Sequence, residues 1–191
     1  DWRWLVSVAR RLAEVVQHVH ALGHIIGDLN PNNVLVHADG RVVLVDCDSY
    51  QIRFRGMLHP CAVAMPEFCP PELHGAPLST TARTRNHDYF SLATLIFHTL
   101  ILGRHPFAAV KTSAAEPASL TEQIAKLAYG YASGAPDNTP DAAVFNQLPK
   151  PLQRAFHDAF RSEHKRPTAR GWVDALVQLE RQLVACPQEP A

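Results

Sequence analysis

The chain has 191 residues, 47% of them apolar and 19% charged, which suits one large domain or lobe with a real core. Eighteen basic and eighteen acidic side chains cancel, so no net field points to nucleic acid or to an anionic membrane. The run Tyr89 to Leu102 is too short to span a bilayer, no signal peptide is visible, and Cys47, Cys61, Cys69 and Cys186 form no C-x-x-C pair, a pattern that predicts free thiols in the cytoplasm.

Trp4, Leu5, Val8, Leu12, Val15, Val16 and Val19 recur at threes and fours, which predicts an amphipathic helix from about Trp2 to Leu22, stopped by Gly23. A chain that opens inside such an element, with no strands before it, reads as truncated. Residues 23–33 are loop by composition, and Pro31 biases Asn30 away from helix. Val34 to His37 and Arg41 to Val45 are β-branched runs around Ala38-Asp39-Gly40, a short hairpin with Asn33 at one end and Asp46 at the other. From Ser49 to Phe68 the pattern is irregular and ends in Pro70-Pro71-Glu72.

Ten of the fourteen residues from Tyr89 to Leu102 are apolar and spread round the helix, so this element should be buried on most sides. Asp88 is its N-cap candidate and Gly103 its C′ residue. Ala108 to Gln147 is the least determined region. Within it Ser119-Leu120-Thr121-Glu122 is a capping box opening a helix to about Tyr131, and Gly134 to Pro140 reads as loop. Pro151 starts another helix (Leu152, Ala155, Phe156, Ala159, Phe160). Thr168 caps a last one with Trp172, Leu176, Leu179 and Leu183 in one stripe, and Cys186 to Ala191 reads as a tail or linker.

The chemistry lies in Asp28, in Asn33 five positions on, and in Asp46 beyond the hairpin. Phosphoryl transfer from a nucleotide needs this set: one carboxylate meets the attacking hydroxyl, while an amide and a second carboxylate hold magnesium on the phosphates. Asp28 is the candidate base. Asn33 and Asp46 offer oxygen donors suited to a hard cation. Asp48 either caps the turn after Asp46 or adds a second carboxylate near the metal.

Ile26-Gly27-Asp28-Leu29-Asn30-Pro31-Asn32-Asn33 with Asp46-Cys47-Asp48 resembles the catalytic loop and metal turn of the eukaryotic-type protein kinases, usually His-Arg-Asp-x-x-x-x-Asn and Asp-Phe-Gly. Pro70-Pro71-Glu72 stands where that family carries Ala-Pro-Glu, Gly103-Arg104-His105-Pro106-Phe107 is similar to its Gly-x-x-Pro-Phe, and Arg166-Pro167-Thr168 follows in order. The resemblance runs from about Trp2 to Leu183. It implies a mainly α fold with a short β-hairpin, a kinase C-terminal lobe over 1–185 without the N-terminal β lobe. The parts would be a catalytic loop at 23–33, a metal turn at 46–48, an activation segment at 46–72, a central helix at 88–103 and a terminal helix at 168–184, then a tail at 186–191. It implies ATP and Mg²⁺ as cofactors, and Ser/Thr of a protein as acceptor. Leu35 would pack beneath the adenine ring, Asp88 would accept backbone N–H groups from the catalytic loop, and Glu72 would pair with Arg166.

The departures from the family carry expectations of their own. Asn30 replaces the Lys that approaches the transferred phosphate, which removes a positive charge and implies slow turnover. Ile26 and Cys47 replace the usual His and Phe, so the hydrophobic spine would use smaller or aliphatic groups. Gly27 replaces the Arg that binds an activation-loop phosphate, and Ser49 and Tyr50 are the only hydroxyls between Asp46 and Glu72. Activity should therefore not depend on phosphorylation there. The loop and Asp-x-Asp-Ser look most like a bacterial branch, some of whose members are associated with tellurium-resistance-type gene clusters alongside a metal-dependent phosphatase and a von Willebrand-type domain, which would be partners beside the protein substrate. Two other readings stay open: a small-molecule phosphotransferase of the aminoglycoside or choline kinase type, with its paired acids in the metal turn, and a non-catalytic scaffold. With no glycine-rich loop and no Lys for the α- and β-phosphates in the sequence, residues 1–191 alone should bind nucleotide weakly and transfer nothing.

Overall fold

Apolar residues three and four apart draw the start of the chain into α1, Trp2–Ala21, in a computed structural model that describes residues 1–108, 118–131 and 142–183. Asp1 caps α1, its carboxylate accepting the Arg3 N–H at 2.9 Å. The buried face runs through Val6, Ala9, Ala13, Val16 and His20, with Leu12 beside it. The expected stripe is buried at Val8, Leu12 and Val16, with Leu5 and Val19 packed against the core, and the buried face is wider than expected on the side of Val6, Ala9 and Ala13. Trp4 is 40% exposed, and its indole N–H donates to Ala38 O at 3.2 Å, so the ring braces the hairpin turn from outside.

The central helix is α2, Arg85–Leu100, and most of its residues from Phe90 onward are buried. Its buried hydroxyls are satisfied locally or across a short gap: Thr94 Oγ1 donates to Phe90 O at 3.0 Å, and Ser91 Oγ to Phe68 O at 2.7 Å. Both ends differ from expectation. Thr84 is the N-cap, its own N–H donating to His87 Nδ1 at 3.1 Å, which leaves Asp88 inside the first turn with a different task. At the other end Ile101 is the C-cap and Leu102, at φ 50°, takes the left-handed position. Gly103 comes one residue later and closes the turn through its N–H to His98 O at 2.8 Å.

The base of the molecule is helical. α3 (Leu120–Ala125) opens on the Ser119/Glu122 capping box but stops short of Tyr131, because Leu127 turns left-handed and sends Tyr129 and Tyr131 into the core. α4 (Ala142–Gln147) was not anticipated. α5 (Lys150–Arg161) and α6 (Ala169–Gln182) follow, the latter capped by Thr168 Oγ1, which accepts the Gly171 N–H at 3.1 Å. α1 packs on α2 and α6, and α5 packs on both α2 and α6. Phe90, Phe97, Phe107, Phe156, Phe160 and Trp172 fill the space between them. The loop expected at Gly134 to Pro140 and the tail at Cys186 to Ala191 lie outside the described residues.

Two antiparallel hairpins sit between α1 and α2 in the chain. β1 (Val34–Val36) pairs with β2 (Val42–Leu44) in the register Val34 to Leu44, and β2 packs on α1. β3 (Ile52–Phe54) pairs with β4 (Met57–His59) inside the stretch expected to be irregular. Arg55 and Gly56 form its two-residue turn, both at positive φ. The described chain is thus mostly helical with two small antiparallel sheets. Among the described residues no helix is long and apolar enough to cross a membrane.

Candidate active site

Ile26 and Leu29 fix the loop after α1. At 2% and 1% exposed they plug the core, and Gly27 and Asp28 between them are left at its edge. Asp28 Oδ1 accepts two hydrogen bonds, from Asn30 Nδ2 at 2.9 Å and from the Met65 N–H at 2.9 Å. Asn33 Nδ2 donates to Asp28 O at 2.9 Å and approaches Oδ2 at a longer 3.4 Å. Asn30 is buried, and its Oδ1 accepts the Asn32 N–H at 2.9 Å to start the 3-10 turn Pro31–Asn33. Its amide therefore orients Asp28, as a neutral group in a place where the resemblance implied a cation.

Asp88 anchors this loop from below. Its carboxylate is 1% exposed; Oδ2 accepts the Ile26 N–H and the His20 Nε2–H, and Oδ1 accepts the Gly27 N–H, each at 2.8 Å. A carboxylate so filled fixes two consecutive peptide units immediately before Asp28. His20 was missed by sequence reasoning. Its signal, a polar residue on the buried face of α1, was present.

Asn33 is tied to the other side of the site through its backbone, since Val45 N–H donates to Asn33 O at 3.0 Å. Asp46 comes next and sits at φ 62°, ψ 41°, a left-handed conformation that costs a non-glycine residue free energy and is held by its surroundings. Ser49 Oγ donates to its carbonyl at 2.9 Å. Asp48 does not cap the turn: Asp46 occupies the N-cap of the 3-10 turn Cys47–Ser49, without a side-chain cap, and Asp48 lies within that turn. Instead the two carboxyls meet. A hydrogen bond to Asp48, then its negative charge, pushes the Asp46 carboxyl up, with a smaller push from the charge of Asp28. A carboxyl pushed up by a neighbouring acid belongs to a donor set that a divalent cation would relieve. With the Asn33 nitrogen already engaged, its Oδ1 is the atom it can offer. Cys47 is exposed, so of the two expected spine positions only Ile26 enters the core.

Leu35 and Val43 face one another across the β1–β2 ladder and are 51% and 41% exposed, an apolar patch next to Asn33 and Asp46. At the far end of the segment, Glu72 and Arg166 form a bidentate pair, Nη1 to Oε1 and Nη2 to Oε2 at 2.9 Å. Burial alone would push the Glu72 carboxyl up, but the hydrogen bonds and charge of Arg166 outweigh it and hold the group below its usual range. The Arg166 guanidinium also lies 5.1 Å over the Phe90 ring. Met65, whose main chain reaches Asp28, gave no sequence signal, because any non-proline residue has that N–H.

A family model described as protein kinase domain matches residues 3–176. The chain is similar to the protein kinase YegI of Escherichia coli O157:H7, 41% identical over 196 residues that cover 97% of this chain and 30% of that protein. It is 40% identical, with the same coverage, to the protein kinase YegI of Escherichia coli (strain K12). A shorter similarity, 32% over 109 residues, links it to the serine/threonine-protein kinase/endoribonuclease IRE1 of Oryza sativa subsp. japonica, over 54% of this chain and 12% of that protein. The chain spans 30% of the length of the two bacterial relatives.

Proposed function

This chain belongs to the protein kinase domain family, and from that premise we propose that Asp28, Asn33 and Asp46 serve transfer of the ATP γ-phosphate to a Ser or Thr hydroxyl of a protein. The observation that carries the reading is the seating of Asp28. Asn30 and Met65 hold one carboxylate oxygen, and the other is left less engaged at the loop's edge. An acceptor hydroxyl meeting Oδ2 is oriented for attack on the γ-phosphorus and gives up its proton toward the carboxylate. Asn33 Oδ1 and Asp46, with Asp48 beside it, would hold magnesium. When bound, that ion neutralises charge on the phosphate oxygens. Leu35 and Val43 offer an apolar surface for the adenine face. Neutral Asn30 supplies no charge to the transferred group, which sets turnover low.

Activity is independent of phosphorylation between Asp46 and Glu72. Residues 1–191 alone bind nucleotide weakly and transfer no phosphate. The protein falls in the bacterial branch described above, with a metal-dependent phosphatase and a von Willebrand-type protein as partners to test by co-purification. The Asp46–Asp48 pair favours a second reading, phosphorylation of a small molecule such as an aminoglycoside.

The deciding experiment uses the intact protein with γ-labelled ATP and Mg²⁺, offered protein substrates and an aminoglycoside in parallel. The expected result is phosphoserine or phosphothreonine on protein, lowered at least about 100-fold by Asp28→Asn. Label on the aminoglycoside alone, or transfer indifferent to Asp28→Asn, would overturn the reading.

A further inference from the structure

Arg83 lies in the polar run Thr80-Thr81-Ala82-Arg83-Thr84-Arg85, where a cation would ordinarily reach into solvent; it is 4% exposed. A buried guanidinium needs acceptors, and this one finds them at Nη1 and Nη2 on main-chain oxygens, while its buried Nε has none. Nη1 donates to Gly27 O at 3.2 Å, and Nη2 donates to Val63 O at 3.1 Å and to Cys61 O at a longer 3.5 Å. Gln51 clamps the Arg83 backbone in turn. Its Oε1 accepts the Arg83 N–H at 2.6 Å and its Nε2 donates to Arg83 O at 2.9 Å, while its own main chain pairs with Ile25.

The guanidinium thus joins the catalytic loop at Gly27 to the segment at 61–63. The gap is narrow: a Cβ on Gly27, which sits at φ 77°, would come 2.6 Å from Cys61 Cβ. Two residues past Val63, the Met65 N–H donates to Asp28 Oδ1. Fixing Val63 therefore fixes a donor to the reacting carboxylate. Burial pushes the Cys61 thiol up and the Cys69 thiol up to about 11, against the pull of the Arg83 charge, and Cys61 Sγ donates to the same Val63 O at 3.2 Å.

We propose that Arg83 is a positioning residue that holds 61–65 against the catalytic loop, so that Met65 occupies Asp28 Oδ1 and Oδ2 remains for the acceptor hydroxyl. The proposal rests on the reading of Asp28 as the base. The cation comes from outside the catalytic loop and is directed at carbonyl oxygens, which every residue carries, so the segment is ordered without a phosphate.

The test uses the intact protein with Arg83→Met, which keeps the stem of the side chain and removes its donors, and Arg83→Lys, which keeps the charge. Hydrogen exchange at 61–66 and steady-state kinetics are read together. In Arg83→Met the Met65 amide should exchange at least about tenfold faster while α1, α2 and α5 keep wild-type protection, and kcat should fall roughly 10- to 100-fold with the nucleotide KM within about twofold. Arg83→Lys should lie between the two. Unchanged Met65 protection in folded Arg83→Met, or equal loss in α2 and α5, would overturn the proposal. Should Arg83→Met fail to fold, Gln51→Met releases the same backbone clamp and is judged by the same readouts. If the wild type moves no phosphate to protein, the reading of Asp28 fails, and Met65 exchange still decides whether Arg83 holds the segment.

Discussion

Asp88 and Phe97 lie near opposite ends of one helix and are held by different physics. Phe97 packs against Tyr131, Phe145, Phe156 and Phe160 with ring centroids 4.9 to 6.0 Å away, and each neighbour also touches another ring. Asp88 spends its carboxylate on three named donors, two of them in the loop that carries Asp28. Dispersion and burial are non-directional, so the aromatic end is redundant. Hydrogen bonds are directional, so the polar end has no substitute for a lost group. The difference predicts which damage is global and which is local.

The largest effects belong to the base. Phe97→Ala removes a fully buried ring and should cost about 3–5 kcal/mol in denaturant unfolding, with nucleotide KM unmoved in whatever fraction remains folded. Glu72→Ala leaves the Arg166 guanidinium buried without its partner and should cost a similar ~3–5 kcal/mol; an unchanged melting temperature would deny the pair its structural weight. Asp88→Asn should cost about 3 kcal/mol, because the amide nitrogen now opposes one of the three donors. Its mark should be local, with faster exchange at the Ile26 and Gly27 amides ahead of α5. If α5 loosened together with that loop, the contrast between the two ends of α2 would collapse.

The most gradual effect, no more than about 1.4 kcal/mol per pH unit, is set by pH. His105 is buried, and burial holds its imidazole down to about 4 from an ordinary 6.5, against the hydrogen bond it donates to Glu67 O at 2.9 Å. Between those values the unfolded chain binds a proton that the folded chain refuses. Stability therefore falls as pH drops from about 6.5 toward about 4, by about 3 kcal/mol over the whole window. Unfolding curves of wild type and His105→Gln across that window should show a shallower slope in the variant; parallel slopes would remove His105 from the account.

What could be read before the coordinates follows the same division. The apolar periods of α1 and α2 were legible because burial repeats along the chain, though the exposed Trp4 shows that a large apolar residue in the stripe can lie off the buried face. The β3–β4 hairpin was not legible. Its three-residue strands leave Ile52, Phe54 and Met57 exposed, so no alternation marks them, and only the Arg55-Gly56 turn gave a hint. Asp28, Asn33 and Asp46 stood out by spacing. Arg83 and Gln51 did not, since nothing in a polar run tells a guanidinium among carbonyls from one in water. Asp48 was open between two readings, and the contact with Asp46 is a through-space fact that sequence order alone does not fix.

The missing side chain at position 27 also constrains how this molecule can change. Codon by codon, a step from Gly27 to arginine would collide with the β-carbon of Cys61 before its new charge could reach anything. The 61–63 segment would have to move away or residue 61 lose its side chain, and the left-handed φ at position 27 would still strain any side chain there. Any lineage, or any engineer, seeking to put this domain under the control of a phosphorylated loop must therefore open that door from the opposite side.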